Sequence, residues 1–198
     1  MNLPNKLTIF RIILVPIMVI FAYINIDAAF FGIPATSWIL ALIFAISSYT
    51  DHLDGMLARK NNQITDFGKF ADPLADKILV LSAMLILVEQ NKLPAWIPII
   101  VITREFAVSG YRLIAAEKKG EVIAASIWGK IKTATQMVGI IGLFLSNYAF
   151  FEFVKNGVII GTPQYIINLV SSILISISVA ATIFSGYDYL KNFKELLK

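Results

Sequence analysis

The sequence contains no cysteine and only one histidine among its 198 residues. The absence of cysteine excludes disulfides, thiolate zinc sites and cysteine nucleophiles. Charged residues are also scarce, at 15% against about 25% in soluble domains, and no Lys/Arg-rich run resembles a nucleic-acid-binding patch. Hydrophobic residues make up 58% of the chain, which is more than a soluble fold of this length can bury. These features predict an integral membrane protein and argue against nucleic acid as a partner.

Six hydrophobic stretches each approach the roughly 20 residues that a helix needs to cross a bilayer. They fall at residues 7–25, 35–58, 70–90, 94–115, 131–150 and 164–186. We therefore predict an all-α integral membrane protein with six transmembrane helices and a short N-terminal interfacial segment at residues 2–11. Neither an internal repeat nor a long linker divides the chain, so residues 1–198 are predicted to form a single membrane domain.

The positively charged residues are distributed unevenly between the two sides of this predicted bundle. If the N-terminus is placed inside, the inner segments carry most of the Lys and Arg residues, whereas the outer loops keep only Lys92 and Lys155. Because positively charged loops tend to remain in the cytoplasm, both termini and the 59–68 loop are predicted to be cytoplasmic. The net charge of +4 is consistent with contact with anionic membrane lipids.

Four aspartates lie in or beside the second and third apolar stretches: Asp51, Asp54, Asp72 and Asp76. An ionisable residue inside a span costs about 3 kcal/mol on insertion scales and by default indicates a functional site. The spacings of three and four residues place each pair on one helix face. A short loop makes the two helices antiparallel neighbours, and each pair lies roughly 9 Å from that loop. The four carboxylates are therefore predicted to meet near the cytoplasmic side.

Converging carboxylates repel each other unless cations lie between them. Ligand sets made only of oxygen favour Mg²⁺ or Mn²⁺, and two ions that share carboxylates are a common device for displacement at phosphorus. One alternative is that the aspartates form packing ion pairs with Arg59, Lys69 or Lys77. Another is a cation transporter that binds its cargo at these carboxylates, although the sequence contains no inverted repeat that would support it.

The same segment resembles the signature of the CDP-alcohol phosphotransferase family at all eight fixed positions, which are Asp51-x-x-Asp54-Gly55-x-x-Ala58-Arg59, eight further residues, and Gly68-x-x-x-Asp72-x-x-x-Asp76. The resemblance implies a membrane enzyme that uses CDP-diacylglycerol, releases CMP and forms a homodimer. It also implies a bacterial cytoplasmic membrane, with the active site facing the cytoplasm. His52, which lies between the first two aspartates, is interpreted as a helix-surface or supporting residue rather than a ligand.

The resemblance further implies a role for each matching residue. One divalent cation would be held by Asp51, Asp54 and Asp72, and a second by Asp51, Asp72 and Asp76. Asp76 would also act as the general base. The CDP portion of the lipid donor would be contacted by Asn5, Thr8, Gly55, Ala58, Arg59, Thr65 and Gly68.

Four cations in the second half of the chain predict an anionic acceptor: Arg104, Arg112, Lys130 and Lys132. A phosphorylated alcohol would gain charge-assisted hydrogen bonds there, although the same cations would also serve to neutralise the aspartates. Residues 104–112 and 124–133 resemble the bacterial branch of the family that acts on sn-glycerol 3-phosphate. We therefore expect phosphatidyl transfer from CDP-diacylglycerol to sn-glycerol 3-phosphate, giving phosphatidylglycerophosphate and CMP. Inositol phosphate and phosphatidylglycerol are the alternative acceptors.

Overall fold

The computed structural model describes residues 3–24, 26–60, 66–119, 127–152 and 161–196, and gives side chains for 5–24, 26–51, 68, 71–111, 127–152, 161–189 and 191. This part of the chain forms six helices: α1 Leu3–Tyr23, α2 Ala35–Lys60, α3 Asp66–Glu89, α4 Trp96–Lys119, α5 Ile127–Leu145 and α6 Pro163–Leu196. Two-residue strands, β1 Ala29–Phe30 and β2 Ile33–Pro34, pair antiparallel between α1 and α2. The predicted all-α architecture with six helices is confirmed for the described residues, whereas the crossing of a membrane by all six stays a prediction.

The ends of two helices differ from the sequence prediction. The N-terminal segment predicted at the interface is continuous with the first apolar stretch, because α1 runs without a break from Leu3 to Tyr23. Pro4, in the first turn of α1, does not interrupt the helix, because an N–H at this position would have no partner within the helix in any case. Helix α6 extends to Leu196, well past the predicted end at 186, because the amphipathic C-terminal residues continue the same helix.

Two helices in the described part of the chain are long and apolar enough to cross a membrane by length and composition. They cover Asn5–Tyr23 in α1 and Pro163–Tyr189 in α6. Together with the overall composition, the two apolar helices support a membrane protein.

The helices pack around a core that lies away from the predicted cytoplasmic loops. Helix α1 contacts α2 and α3, α2 contacts α5, and α6 contacts both α4 and α5. The rings of Phe44 and Phe144 join α2 to α5 at 6.5 Å between centroids, in a cluster with Met18, Leu79 and other fully buried side chains. Because α1 is inserted against both α2 and α3, its inward face lies beside the helices that carry the four aspartates.

Close approach of α5 to α6 depends on two glycines. A Cβ atom at Gly139 would lie 2.9 Å from the Ile175 side chain, and one at Gly142 would collide with the Ser171 hydroxyl. At such separations larger residues force the helices apart. The small residues therefore hold α5 in position, and α5 carries Lys132 into the site.

Candidate active site

Helix α1 provides a buried cation to the aspartate of α2. The Arg11 side chain is fully buried, and its Nη1 atom lies 2.7 Å from Asp51 Oδ1. A buried guanidinium is stable only when a partner compensates its charge. Asp51 supplies that compensation while 34% of its side chain stays exposed. The aspartate is thus held on one side and accessible on another.

The same face of α1 reaches the aspartate of α3. The buried Thr8 hydroxyl donates a hydrogen bond of 2.5 Å to Asp72 Oδ1. Thr8 precedes Arg11 by three residues, so the two side chains lie on one helix face. The sequence analysis placed Thr8 against the CDP moiety, and its observed partner is the carboxylate of Asp72. Asn5 lies one turn earlier and is half-buried.

Asp76 has a different environment from the other two described aspartates. Its Oδ1 atom is buried, and no described residue donates a hydrogen bond to it. The residue lines a cavity of about 200 Å³ between α3, α4 and α5, together with Lys77, Glu105 and Lys132. Asp51, Arg11, Lys132 and Glu105 all act electrostatically on its carboxyl group. Asp76 therefore lies within electrostatic reach of Asp51 and of charges from α1, α4 and α5.

Glu105 joins two of the predicted acceptor-binding cations. Its Oε1 atom accepts hydrogen bonds from Arg104 Nη1 at 2.9 Å and from Lys132 Nζ at 2.5 Å. Lys132 is buried in the Asp76 cavity. A carboxylate shared by two cations leaves positive charge available for an anion.

The structure describes the side chains of three of the four predicted acceptor-binding cations. Arg104 lies toward α6, where it donates a hydrogen bond to Ser185 and stacks over the Tyr189 ring at 5.7 Å. Lys130 is exposed, and the side chain of Arg112 is outside the described residues. The structure therefore brings together Arg104 and Lys132, through Glu105.

Part of the predicted site falls outside the described side chains. This applies to Asp54, Gly55, Ala58, Arg59 and Thr65, and to His52, whereas Gly68 is described and buried. Among the side chains that are described, no three acidic or histidine groups are arranged to hold a metal ion. The buried Asp76 oxygen without a donor is the observation that suits a cation, because an unpaired buried carboxylate oxygen is costly.

Sequence reasoning missed two of the residues that form this site. These are Arg11 and Glu105, neither of which was assigned to the site from the sequence. The signal for Arg11 was its spacing of three from Thr8 within an apolar stretch, which places both polar groups on one helix face. The pairing of Glu105 with Lys132 had no such signal, because the two residues are on different helices.

Comparisons with known proteins agree with these features. The family model described as CDP-alcohol phosphatidyltransferase matches residues 1–184. A CDP-diacylglycerol–glycerol-3-phosphate 3-phosphatidyltransferase of Bacillus subtilis (strain 168) is 41% identical over 202 residues, covering 100% of this chain and 97% of the relative. A protein of the same name from Haemophilus influenzae is 44% identical over 74% of this chain and 78% of its own. One from Rickettsia bellii is 36% identical over 98% of this chain and 96% of its own.

Proposed function

Because the chain belongs to the CDP-alcohol phosphatidyltransferase family, we propose that it transfers the phosphatidyl group of CDP-diacylglycerol to sn-glycerol 3-phosphate, giving phosphatidylglycerophosphate and CMP. The names of relatives that align over nearly the whole chain support this reaction. The structural observation that carries it is the cavity that Asp76 and Lys132 both line. A proton acceptor and a phosphate-binding cation in one cavity suit a phosphorylated alcohol as acceptor.

The reaction forms one bond and breaks one. The acceptor hydroxyl oxygen bonds to the phosphorus of the phosphatidyl group, and the bond from that phosphorus to the oxygen of CMP breaks. Asp76 accepts the hydroxyl proton at one carboxylate oxygen and leaves the other to a cation, and no described residue donates a hydrogen bond to its buried Oδ1 atom. This sequence needs no covalent enzyme intermediate, in keeping with a chain that lacks cysteine.

The carboxylates Asp51, Asp54, Asp72 and Asp76 would together hold two divalent cations, Mg²⁺ or Mn²⁺. When bound, the ions neutralise the pyrophosphate and the charge that develops on the departing CMP. Arg11 and Thr8 hold Asp51 and Asp72 on their inner sides. The CDP portion would be contacted by residues of α1 and of the signature, namely Asn5, Thr8, Gly55, Ala58, Arg59, Thr65 and Gly68.

Lys132 and Arg104 would bind the acceptor phosphate, with Glu105 holding them in place. Arg112 remains a candidate from the sequence. Lys130 is exposed on α5, so we assign it a smaller role than the sequence suggested. A neutral acceptor would gain little from these cations, which favours sn-glycerol 3-phosphate over an uncharged alcohol.

All six helices would cross a bacterial cytoplasmic membrane, with both termini and the active site on the cytoplasmic side. The excess of Lys and Arg in the inner segments supports this orientation. A lipid donor fits such a site, because its acyl chains can remain in the bilayer while its head group reaches the aspartates. A homodimer is proposed from the family resemblance.

The direct test is an acceptor screen with the purified full-length enzyme. CDP-diacylglycerol would be mixed with sn-glycerol 3-phosphate, inositol phosphate or phosphatidylglycerol, and both CMP release and the lipid product would be measured with and without a chelator. We expect CMP release with sn-glycerol 3-phosphate and with neither of the other two acceptors, and we expect the chelator to abolish it. Use of either alternative acceptor in its place would overturn the assignment of the acceptor but not that of the family.

A further inference from the structure

Arg11 is a charged residue of the site with no part in the proposed chemical steps. It is the largest fully buried side chain in the described part of the chain, on a helix made otherwise almost entirely of apolar residues. A buried charge costs several kcal/mol unless it is paired. Arg11 pairs with Asp51 at 2.7 Å. Its charge therefore lies at a carboxylate of the site rather than at the protein surface.

The contacts of α1 divide the three described aspartates into two kinds. Arg11 holds Oδ1 of Asp51, and Thr8 holds Oδ1 of Asp72. Asp76 receives no hydrogen bond at Oδ1 from any described residue, although Arg11 acts on its carboxyl group electrostatically. One helix therefore fixes carboxylates on two others while its guanidinium remains within electrostatic reach of the third.

The charge balance indicates what Arg11 does there. Four aspartates carry a charge of −4, and two divalent cations would contribute +4, so Arg11 would leave the loaded site at +1. A positive site suits a pyrophosphate-containing donor. Lys132 acts on Asp76 from α5 and Glu105 offsets its charge, so without Arg11 the repulsion among the aspartates would be offset chiefly by bound metal.

We propose that Arg11 is a positioning residue that acts as a resident counter-cation, holding Asp51 in place and offsetting the charge of the aspartate site independently of bound metal. The inference rests on the two-cation site of the proposed function. Arg11 shares Asp51 with a proposed metal ion, so the two cations repel each other. Removing the charge of Arg11 should therefore make the protein less stable in chelator and make it bind a divalent cation more tightly.

The test compares the full-length wild type with Arg11→Gln, Arg11→Lys and Asn168→Ala in detergent. Asn168 is a buried polar residue that bonds to Ser146 and Tyr148 at the other end of the bundle, so its variant controls for general loss of stability. Thermal unfolding would be followed in EDTA and in saturating Mn²⁺, and Mn²⁺ affinity would be measured by electron paramagnetic resonance. None of these readouts depends on turnover.

We expect Arg11→Gln to lower Tm in EDTA, to recover more of that loss with Mn²⁺ than Asn168→Ala does, and to bind Mn²⁺ about tenfold more tightly than the wild type. Arg11→Lys keeps the charge and should keep the Mn²⁺ affinity within about threefold. Unchanged or weaker Mn²⁺ binding by Arg11→Gln would overturn the counter-cation role and leave a packing ion pair.

Two further outcomes keep the inference separable from the proposed function. If Arg11→Gln cannot be purified, Arg11→Met replaces it, because it also removes the charge: tighter Mn²⁺ binding supports the proposal and unchanged or weaker binding overturns it. If the wild type itself binds no Mn²⁺, the two-cation site fails and this inference fails with it. If the wild type binds Mn²⁺ and Arg11→Gln binds it with the same affinity, the role of Arg11 is overturned and the proposed two-cation site is not.

Discussion

Individual carboxylates of this site differ in the groups that touch them. Asp51 is held by a guanidinium and Asp72 by a hydroxyl, whereas the buried Oδ1 of Asp76 has no described donor. A cation or donor that lies against a carboxylate oxygen occupies a position from which a reacting hydroxyl would reach that oxygen. The contacts therefore support the general-base role for Asp76 over the other two described aspartates.

Replacement of Asp76 by asparagine should slow turnover more than it weakens donor binding. We expect Asp76→Asn to lower kcat about 100-fold or more, because the acceptor proton loses its base. The KM for CDP-diacylglycerol should change far less. Release of CMP measures both quantities, and Asp188→Asn, a change at an exposed carboxylate of α6, is the matched control. Equal activity of Asp76→Asn and the control would remove Asp76 from the site.

For the two lysines of α5, the sequence and the structure give different predictions about the acceptor site. Lys132 is buried beside Glu105, whereas Lys130 is exposed. We expect Lys132→Met to raise the KM for sn-glycerol 3-phosphate by about tenfold or more, since hydrogen bonds to charged groups contribute about 1.5–3 kcal/mol. Lys130→Met should have a much smaller effect. Initial rates at varied acceptor concentration would show the difference, and equal increases would restore the four-cation site that the sequence predicted.

At the scale of elements, a lysine joins the α3–α4 connection to the end of α5. Lys92 Nζ donates to the Phe144 carbonyl at 3.1 Å, and the Lys92 carbonyl accepts from Phe150 N at 2.9 Å. Burial disfavours the charged amine and lowers the pKa of Lys92 from 10.5 to about 8. The connection therefore has a group that titrates near neutral pH.

This shift predicts the direction in which pH changes stability. Between about pH 8 and 10.5 the unfolded chain keeps the Lys92 proton that the folded chain has lost, so the free energy of unfolding should rise with pH in this window. The contribution is absent in Lys92→Met. Thermal unfolding in detergent at pH 7.5 and 9.5 would measure it as the difference between wild type and variant. A wild type that gains no stability relative to Lys92→Met at the higher pH would contradict the assignment.

For the molecule as a whole, the orientation in the membrane follows from charge. The hairpin between α1 and α2 exposes Phe31, which has 93% of its surface accessible and lies opposite the predicted cytoplasmic loop. The absence of natural cysteines makes a single introduced thiol easy to follow.

Two single-cysteine variants test this orientation. In intact cells, an impermeant thiol reagent should label Phe31→Cys and should leave Asn62→Cys unlabelled, because Asn62 belongs to the positively charged loop that is proposed to lie in the cytoplasm. Permeabilised cells should label both variants. The reverse pattern in intact cells would invert the proposed topology and move the aspartates to the outer side.

Most of the architecture was predictable without coordinates. Apolar stretches of span length indicate helices whatever their partners, because the backbone must satisfy its own hydrogen bonds in lipid. The six main helices follow from this rule, and the errors lie at their ends. Helix α6 continues to Leu196 because amphipathic residues extend a helix beyond the apolar limit that defined the predicted span.

The candidate site was also predictable only in part. Residue spacing within one helix determined that the aspartates form pairs, since positions three or four apart always share a face, and the signature determined the family. Contacts between different helices depended on packing. Arg11 with Asp51, and Glu105 with both Arg104 and Lys132, were decided by which helix faces meet and at what height. A one-dimensional pattern records the period of a helix but not its rotation against its neighbours, and that rotation separates buried Lys132 from exposed Lys130.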